Sequence, residues 1–77
     1  MTKRLPRVTA SRVLRALRKA GWYVHHQQGS HLTLKNDTRP GARVTLAMHK
    51  GEDILPKTLL SIMEQAGLSR EELLELL

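Results

Sequence analysis

The chain has 77 residues, of which 40% are hydrophobic and 26% charged, so it fits one small globular domain over residues 1–77 without a deep enclosed cavity. It contains no cysteine, which excludes a disulfide framework, a thiolate zinc site and a cysteine nucleophile. Its formal net charge of +6 favours a polyanionic partner such as a nucleic acid.

The charge is unevenly distributed along the chain. Residues 1–50 carry eleven lysines and arginines and one acidic residue, whereas residues 51–77 carry two basic and six acidic residues. The basic N-terminal segment has no apolar stretch behind it, and no run approaches the roughly 20 apolar residues of a membrane span. These features predict a cytoplasmic protein without a membrane anchor.

The first predicted element is a helix that begins after Thr9 and ends at Gly21. Apolar residues recur at helical spacing along one side of it, at Ala10, Val13, Leu14, Leu17 and Ala20. No acidic residue lies on the opposite side, which carries Arg12, Arg15, Arg18 and Lys19. Such a basic ridge is consistent with a solvated helix face, but its uniform charge favours contact with phosphates, with Arg12 and Arg15 as candidate RNA contacts.

Three strands are predicted after this helix, at Trp22–Gln27, Ser30–Lys35 and Arg43–Met48. Gln28-Gly29 is the predicted turn between the first two, and a loop dense in turn formers precedes the third. Strands joined by such short connections form an antiparallel meander. Side chains alternate between the two faces along each strand, so one set of residues is predicted to face away from the core. These residues are His31, Thr33, Lys35, Arg43, Thr45, Ala47 and His49.

The aromatic and histidine residues of the first strand allow more than one role. Trp22 and Tyr23 could stack on bases, although a tryptophan directly after a helix end is more often buried in the core. Because residues two positions apart in a strand point to the same face, His26 is expected on the side of Trp22 and Val24 and is predicted to be partly buried. Because neighbouring strand residues point to opposite faces, His25 and His26 do not form a chelating pair, and no metal site is predicted.

The last third of the chain predicts two helices. Pro56 suits the first turn of one helix, and Gly67 ends it. Ser69 and Glu72 form a capping box that begins a short last helix. The order α-β-β-β-α with a C-terminal helical extension predicts an α+β fold, in which helices cover one face of a three-stranded antiparallel sheet. The expected buried face of the first of these helices comprises Leu59, Leu60, Ile62, Met63 and Ala66.

The motif Gly29-Ser30-His31 is the strongest candidate for chemistry. A glycine leaves room for a phosphate backbone to approach, and Ser30 offers a hydroxyl and a backbone amide as donors. Histidine gains and loses a proton near neutral pH, so His31 could deprotonate the 2′-hydroxyl of RNA while neighbouring cations stabilise the charged phosphorus centre. A surface histidine after a turn is common, so these residues alone leave a purely structural role open.

Five sequence blocks resemble, in order and spacing, those of the HicA (YcfA-like) toxins over roughly residues 10–72. The blocks are Leu17–Trp22, Gln28–His31, His49–Glu52, Thr58–Ile62 and Gln65–Ser69. The resemblance implies a double-stranded-RNA-binding-like fold, an mRNA interferase activity and a HicB-type antitoxin that holds the toxin inactive. It assigns the family's catalytic histidine to His31 and the histidine of its third-strand segment to His49.

We therefore interpret the sequence as the toxin of a type II toxin–antitoxin pair, a metal-independent mRNA endoribonuclease without a cofactor. His31 is the expected catalytic residue, and the expected RNA contacts are Gly29, Ser30, Lys35, Arg43, His49, Arg12 and Arg15. The expected partners are mRNA and a HicB-type antitoxin, in a homo-oligomer or a toxin–antitoxin complex. Two alternatives stay open, namely a non-catalytic module that binds structured RNA and a domain that binds only protein.

Overall fold

The computed structural model describes residues 5–77, which form three helices and a three-stranded sheet. In chain order the elements are α1 (Ala10–Lys19), β1 (Tyr23–Gln28), β2 (His31–Lys35), β3 (Val44–Ala47), α2 (Pro56–Ala66) and α3 (Arg70–Leu76). The strands are antiparallel in the order β1-β2-β3. The predicted α+β fold is confirmed and is consistent with a double-stranded-RNA-binding-like fold. None of the described helices is long and apolar enough to cross a membrane.

α1 forms where the sequence supplies a cap at each end. The Thr9 hydroxyl accepts the backbone N–H of Arg12 at 3.3 Å, as predicted. Past the other end, Gly21 has a left-handed backbone with φ +97°. The buried Asn36 side chain donates to the Ala20 carbonyl at 3.0 Å, so the loop after β2 fixes the end of α1.

The core lies between the helices and one face of the sheet. Trp22 is only 3% exposed, which confirms its role as a core residue rather than a base-stacking one. The prediction that Leu60 is buried is wrong, because this residue lies about 100° around α2 from Leu59 and is 44% exposed. The buried apolar residues are Val8, Ala10, Val13, Ala16, Leu17, Trp22, Leu32, Leu34, Val44, Leu46, Leu59, Ile62, Met63, Ala66 and Leu73.

β1 contains a bulge that breaks the alternation expected from its sequence. Val24 pairs with Leu34 and His26 pairs with Thr33, so His25 is an extra residue in β1. The extra residue moves His26 to the face of Thr33, away from the core, and His26 is exposed. The prediction that His26 is partly buried is therefore wrong, because the bulge at His25 interrupts the alternation on which that prediction rests.

Two cations of the basic part of the chain bind the C-terminal ends of helices. Lys19 Nζ donates to the Leu76 carbonyl of α3 at 3.1 Å, and Arg39 Nη1 donates to the Ala66 carbonyl of α2 at 3.1 Å. Positive charge is favourable at these helix ends because of the helix dipole. Lys19 thus joins α1 to α3 and does not belong to the basic ridge that its sequence predicted. From here on, the basic ridge of α1 means its three exposed arginines, Arg12, Arg15 and Arg18.

The capping box predicted for α3 is confirmed. Ser69 Oγ accepts the Glu72 backbone N–H at 3.1 Å, and Glu72 Oε1 accepts the Ser69 backbone N–H at 2.9 Å. The hydrogen bonds from Ser69, led by that of its backbone N–H, lower the pKa of Glu72 from its ordinary value. The ionised carboxylate is therefore the form that holds the start of α3.

Gly67 ends α2 at a position where a side chain is strained, because it has φ +68°, and a Cβ there would displace the Arg39 guanidinium. We expect Gly67→Ala to lower the free energy of unfolding by about 2–4 kcal/mol. Left-handed strain of about 1–2 kcal/mol adds to the loss of the charged hydrogen bond from Arg39 to the Ala66 carbonyl. Urea denaturation measures the change.

The matched control is Gly41→Ala. Gly41 also has a left-handed backbone, with φ +88°, but nothing lies within 4 Å of the position of its Cβ. Only the strain of about 1–2 kcal/mol is expected in this variant. Equal losses in the two variants would contradict a stabilising role of Arg39.

Candidate functional site

A two-residue turn, Gly29-Ser30, forms the tip of the hairpin between β1 and β2. Gln28 pairs with His31 across this turn, so the turn begins one residue later than predicted and Gln28 belongs to β1. Gly29 has φ +58° and no described non-glycine residue has a positive φ, which fits the type II′ turn typical of tight hairpins. Nothing lies within 4 Å of the position that a Gly29 Cβ would occupy. The tip is therefore open to a phosphate backbone.

His31 is the first residue of β2, and a strand holds it on each side. Its Cα partners are Gln28 in β1 and Ala47 in β3. The carbonyl of the preceding residue, Ser30, accepts the Met48 N–H at 2.7 Å. The backbone of His31 is thus fixed while its side chain is exposed, and Ala47 places only a methyl group beside it. A fixed and accessible imidazole is the arrangement that proton transfer requires.

We call the side of the sheet that faces away from the core the outer sheet face. Strand pairing and burial define it, because paired residues of antiparallel strands share a face, and Leu32 and Leu34 point to the core. None of its strand residues is acidic, so the face suits an anionic ligand. Its strand residues are Tyr23, His26, Gln28, His31, Thr33, Lys35, Thr45 and Ala47.

Lys35 and Arg43 lie at the opposite end of the outer sheet face from His31. Lys35 pairs with Tyr23, and Arg43 directly precedes β3, next to the pair of Leu34 with Val44. Lys35 lies four positions after His31, which corresponds to about 13 Å along a strand. The two cations are therefore too far away to touch a phosphate bound at His31, but they can contact another phosphate of the same RNA chain.

Tyr23 is the exposed aromatic residue of this face. It is 43% exposed, and its hydroxyl donates to Asp37 Oδ1 at 3.1 Å. That hydrogen bond raises the pKa of Tyr23 from its ordinary value, and partial desolvation and the charge of Asp37 act in the same direction. The ring is thereby held beside Lys35, where it is available to stack on a base.

His49 does not lie on the sheet, since β3 ends at Ala47. It is exposed in the connection from β3 to α2, where it lines a shallow groove of about 290 Å³ with Ala10, Ser11, Met48 and Lys50. Ala47 pairs with His31 and lines an adjoining groove with His49, so His49 and His31 lie at the same end of the molecule. Lys50 is a cation at this end that the sequence reasoning missed, although it follows His49 directly.

Arg12 and Arg15 lie in a different layer from His31. The buried side of α1 faces the sheet, and the basic ridge lies on the side of the helix away from it. Arg12 is in the first turn of α1, near the groove that contains His49, whereas Arg15 lies one turn farther along. The structure therefore does not bring these arginines and His31 onto one surface.

The bulge in β1 brings a second histidine to the outer sheet face. His26 pairs with Thr33, two residues from His31 along β2. Sequence reasoning missed this neighbour because the register shift at His25 has no clear signature in the sequence. Among residues 5–77, no three histidine, cysteine, aspartate or glutamate side chains come together as a set of metal ligands.

Comparison with known proteins gives one family. A family model described as HicA toxin of bacterial toxin-antitoxin matches residues 10–68. The matched region contains the Gly29-Ser30 turn, His31, His49 and all of the sheet. No curated protein matches the chain.

Proposed function

The chain belongs to the HicA toxin family of bacterial toxin–antitoxin systems, and on that premise we propose that it is a metal-independent endoribonuclease that cuts mRNA. The observation that carries this proposal is the exposed imidazole of His31, which follows an open glycine turn and is fixed between two strands. The outer sheet face, whose strand residues include no acidic side chain, and the basic first 50 residues supply the field that attracts RNA.

His31 acts first on the 2′-hydroxyl of the RNA. It removes the proton, the 2′-oxygen bonds to phosphorus, and the bond from phosphorus to the 5′-oxygen breaks. The products are a 2′,3′-cyclic phosphate and, once the leaving oxygen has taken up a proton, a 5′-hydroxyl. RNA thus supplies its own nucleophile, and the step needs neither an attacking water nor a metal. The backbone amides of Gly29 and Ser30, with the Ser30 hydroxyl, hold the phosphate oxygens, which become more negative in the transition state.

Other cations hold the RNA chain on either side of the cut. Lys35 and Arg43 take a phosphate at the far end of the outer sheet face, and His49 and Arg12 take one at the end that contains His31. Arg15 extends the contact along α1 for an RNA that curves around this end of the domain. These contacts position the backbone and carry no sequence information by themselves.

A HicB-type antitoxin is the expected protein partner. The surface around His31 is basic and exposed, so an acidic partner surface that covers it would exclude RNA by taking its place. A complex in which the antitoxin covers His31 also explains why a cell that contains the ribonuclease keeps its mRNA intact. If charge complementarity holds the complex together, high salt should dissociate it because salt screens the charges. A neutral detergent, which weakens apolar contacts, should leave it intact.

Expression of the chain without its antitoxin is expected to arrest bacterial growth, and His31→Ala is expected to abolish the arrest. The reason is that no other described group takes the place of the imidazole at the hairpin tip. Viable counts after induction measure the effect, with His25→Ala as the control, since His25 is an exposed histidine outside the proposed contacts. Arrest of equal strength by the His31→Ala chain would contradict the proposal.

The uneven charge of the chain also supports a second function, binding to structured RNA without cleavage. That function predicts intact RNA after incubation with the purified chain, and an affinity that falls steeply as salt increases. A domain that binds only protein predicts no RNA binding at any salt concentration. Gel-shift and cleavage assays on the same sample distinguish the three outcomes.

A further inference from the structure

We propose that His26 is the proton donor to the leaving 5′-oxygen in the reaction in which His31 is the base; this inference rests on the proposed ribonuclease function. A single histidine accounts for only half of the proton transfer, because the leaving alkoxide also needs a proton. The β-bulge supplies the second imidazole, since it moves His26 onto the outer sheet face that carries His31.

The pairing of β1 with β2 sets the separation of the backbones of the two histidines. His26 pairs with Thr33, and His31 is two residues from Thr33 on the same face, so His26 and His31 are diagonal neighbours. Diagonal neighbours in an antiparallel pair lie about 7–8 Å apart, within reach of ring side chains. From backbones this far apart, the two rings can reach one phosphate placed between them, each with a hydrogen bond of about 2.6–3.2 Å.

The step balances with these two groups alone. The proton of the 2′-hydroxyl passes to the neutral His31 while the bond from the 2′-oxygen to phosphorus forms. The bond from phosphorus to the 5′-oxygen breaks, and the proton of the His26 imidazolium passes to that oxygen. The enzyme ends with His31 protonated and His26 neutral, and exchange of protons with water restores both.

The charged and titratable groups near His26 come from two strands. Tyr23 and His25 share β1 with it, and His31 and Lys35 face it from β2, the strand that pairs with β1. β3 (Val44–Ala47) contains no titratable side chain. No strand residue of this face is acidic, and the carboxylate of Asp37, at the end of the face that contains Tyr23, accepts the hydroxyl of Tyr23.

The first test compares His26→Gln with His25→Gln in the purified chain. His25 is the matched control, because it is an exposed histidine of the same bulge that has no partner in β2. We expect His26→Gln to lower kcat/KM by about 10²–10⁴-fold, the range of one acid or base group, and His25→Gln to leave it within about twofold. Unchanged cleavage by the His26→Gln chain would overturn the proposal.

The pH profile separates a proton donor from a structural residue. The wild-type rate should rise and then fall with pH, since it requires a deprotonated base and a protonated acid. In His26→Gln the fall on the alkaline side should be absent, and in His31→Gln the rise on the acidic side should be absent. A profile of wild-type shape in His26→Gln would overturn the assignment.

A substrate with sulfur in place of the leaving 5′-oxygen gives the sharpest test. A thiol has a far lower pKa than an alcohol, so a thiolate leaves without a proton donor. This substrate should restore cleavage by His26→Gln to within about tenfold of wild type and leave His31→Gln inactive. His26→Arg, which keeps a positive charge but cannot give up a proton, should remain inactive on ordinary RNA.

The failures of the two proposals are distinguishable. Restored cleavage of ordinary RNA by His26→Arg would show that His26 is only a cation that binds phosphate, and would overturn the donor role while leaving the ribonuclease function intact. Loss of activity in His31→Gln together with full activity in His26→Gln would also overturn the donor role and leave the ribonuclease function intact. Intact RNA with the wild-type chain would overturn both proposals.

Discussion

His31→Ala is expected to lower RNA cleavage by about 10²–10⁴-fold while the fold is unchanged. The loss is large because the proposed base has no substitute at the hairpin tip: Gly29 and Ser30 offer only hydrogen-bond donors and a hydroxyl. The fold survives because the side chain is exposed, and surface substitutions of this kind change the free energy of unfolding by within about 0.5 kcal/mol.

The measurement is a single-turnover cleavage assay on a synthetic RNA, with circular dichroism to verify the fold of each variant. His49→Ala is the informative comparison, since His49 lies in a separate groove and is proposed to bind RNA rather than to transfer a proton. That variant should raise KM with little change in kcat. A larger loss of kcat in His49→Ala than in His31→Ala would reverse the assignment.

Trp22→Ala is expected to have the largest effect on stability, a loss of about 3–5 kcal/mol in the free energy of unfolding. Trp22 is 3% exposed and joins the end of α1 to the start of β1, where its backbone N–H, which the variant keeps, donates to the Leu17 carbonyl at 3.0 Å. The expected loss therefore comes from the buried indole ring. A domain of this length has a total stability of about 4–12 kcal/mol, so this one substitution removes much of it.

Tyr23→Ala is the matched control for Trp22→Ala. The two aromatic residues are adjacent in the sequence, but Tyr23 is 43% exposed and its hydroxyl bonds only to Asp37 on the surface. Its removal should cost no more than about 1 kcal/mol. Thermal and urea denaturation of both variants measures the difference, and equal destabilisation would contradict the assignment of Trp22 to the core and Tyr23 to the outer sheet face.

The order of the elements could be predicted from local signals in the sequence. The period of apolar residues defines α1, Thr9 and the Ser69–Glu72 capping box start helices, and Gly67 ends α2. Each of these features depends on residues within one or two turns of each other. Local physical chemistry therefore suffices to identify them.

The contacts between distant segments could not be predicted. Lys19 belongs to a run of cations that indicates a phosphate-facing ridge, yet it bonds to the carbonyl of Leu76, 57 residues away. Arg39 lies in a loop of turn formers, and only the folded chain places it at the end of α2. A charged side chain in a sequence gives no sign of which helix end it will meet.

The candidate site was predicted in part. The placement of His31 and Lys35 on one face follows from the alternation of β2, which has no irregularity. The same reasoning failed in β1, because one extra residue at His25 reverses the orientation of His26. His49 was expected to follow the face of β3, but the strand ends two residues earlier.

Analysis of the RNA ends produced by the purified, antitoxin-free chain in the presence of a chelator tests the central claim most directly. Mass spectrometry should find 2′,3′-cyclic phosphate and 5′-hydroxyl ends with the wild-type chain and intact RNA with folded His31→Ala. Intact RNA with the wild-type chain, cleavage that stops when metal is removed, or products with 3′-hydroxyl and 5′-phosphate ends would contradict it.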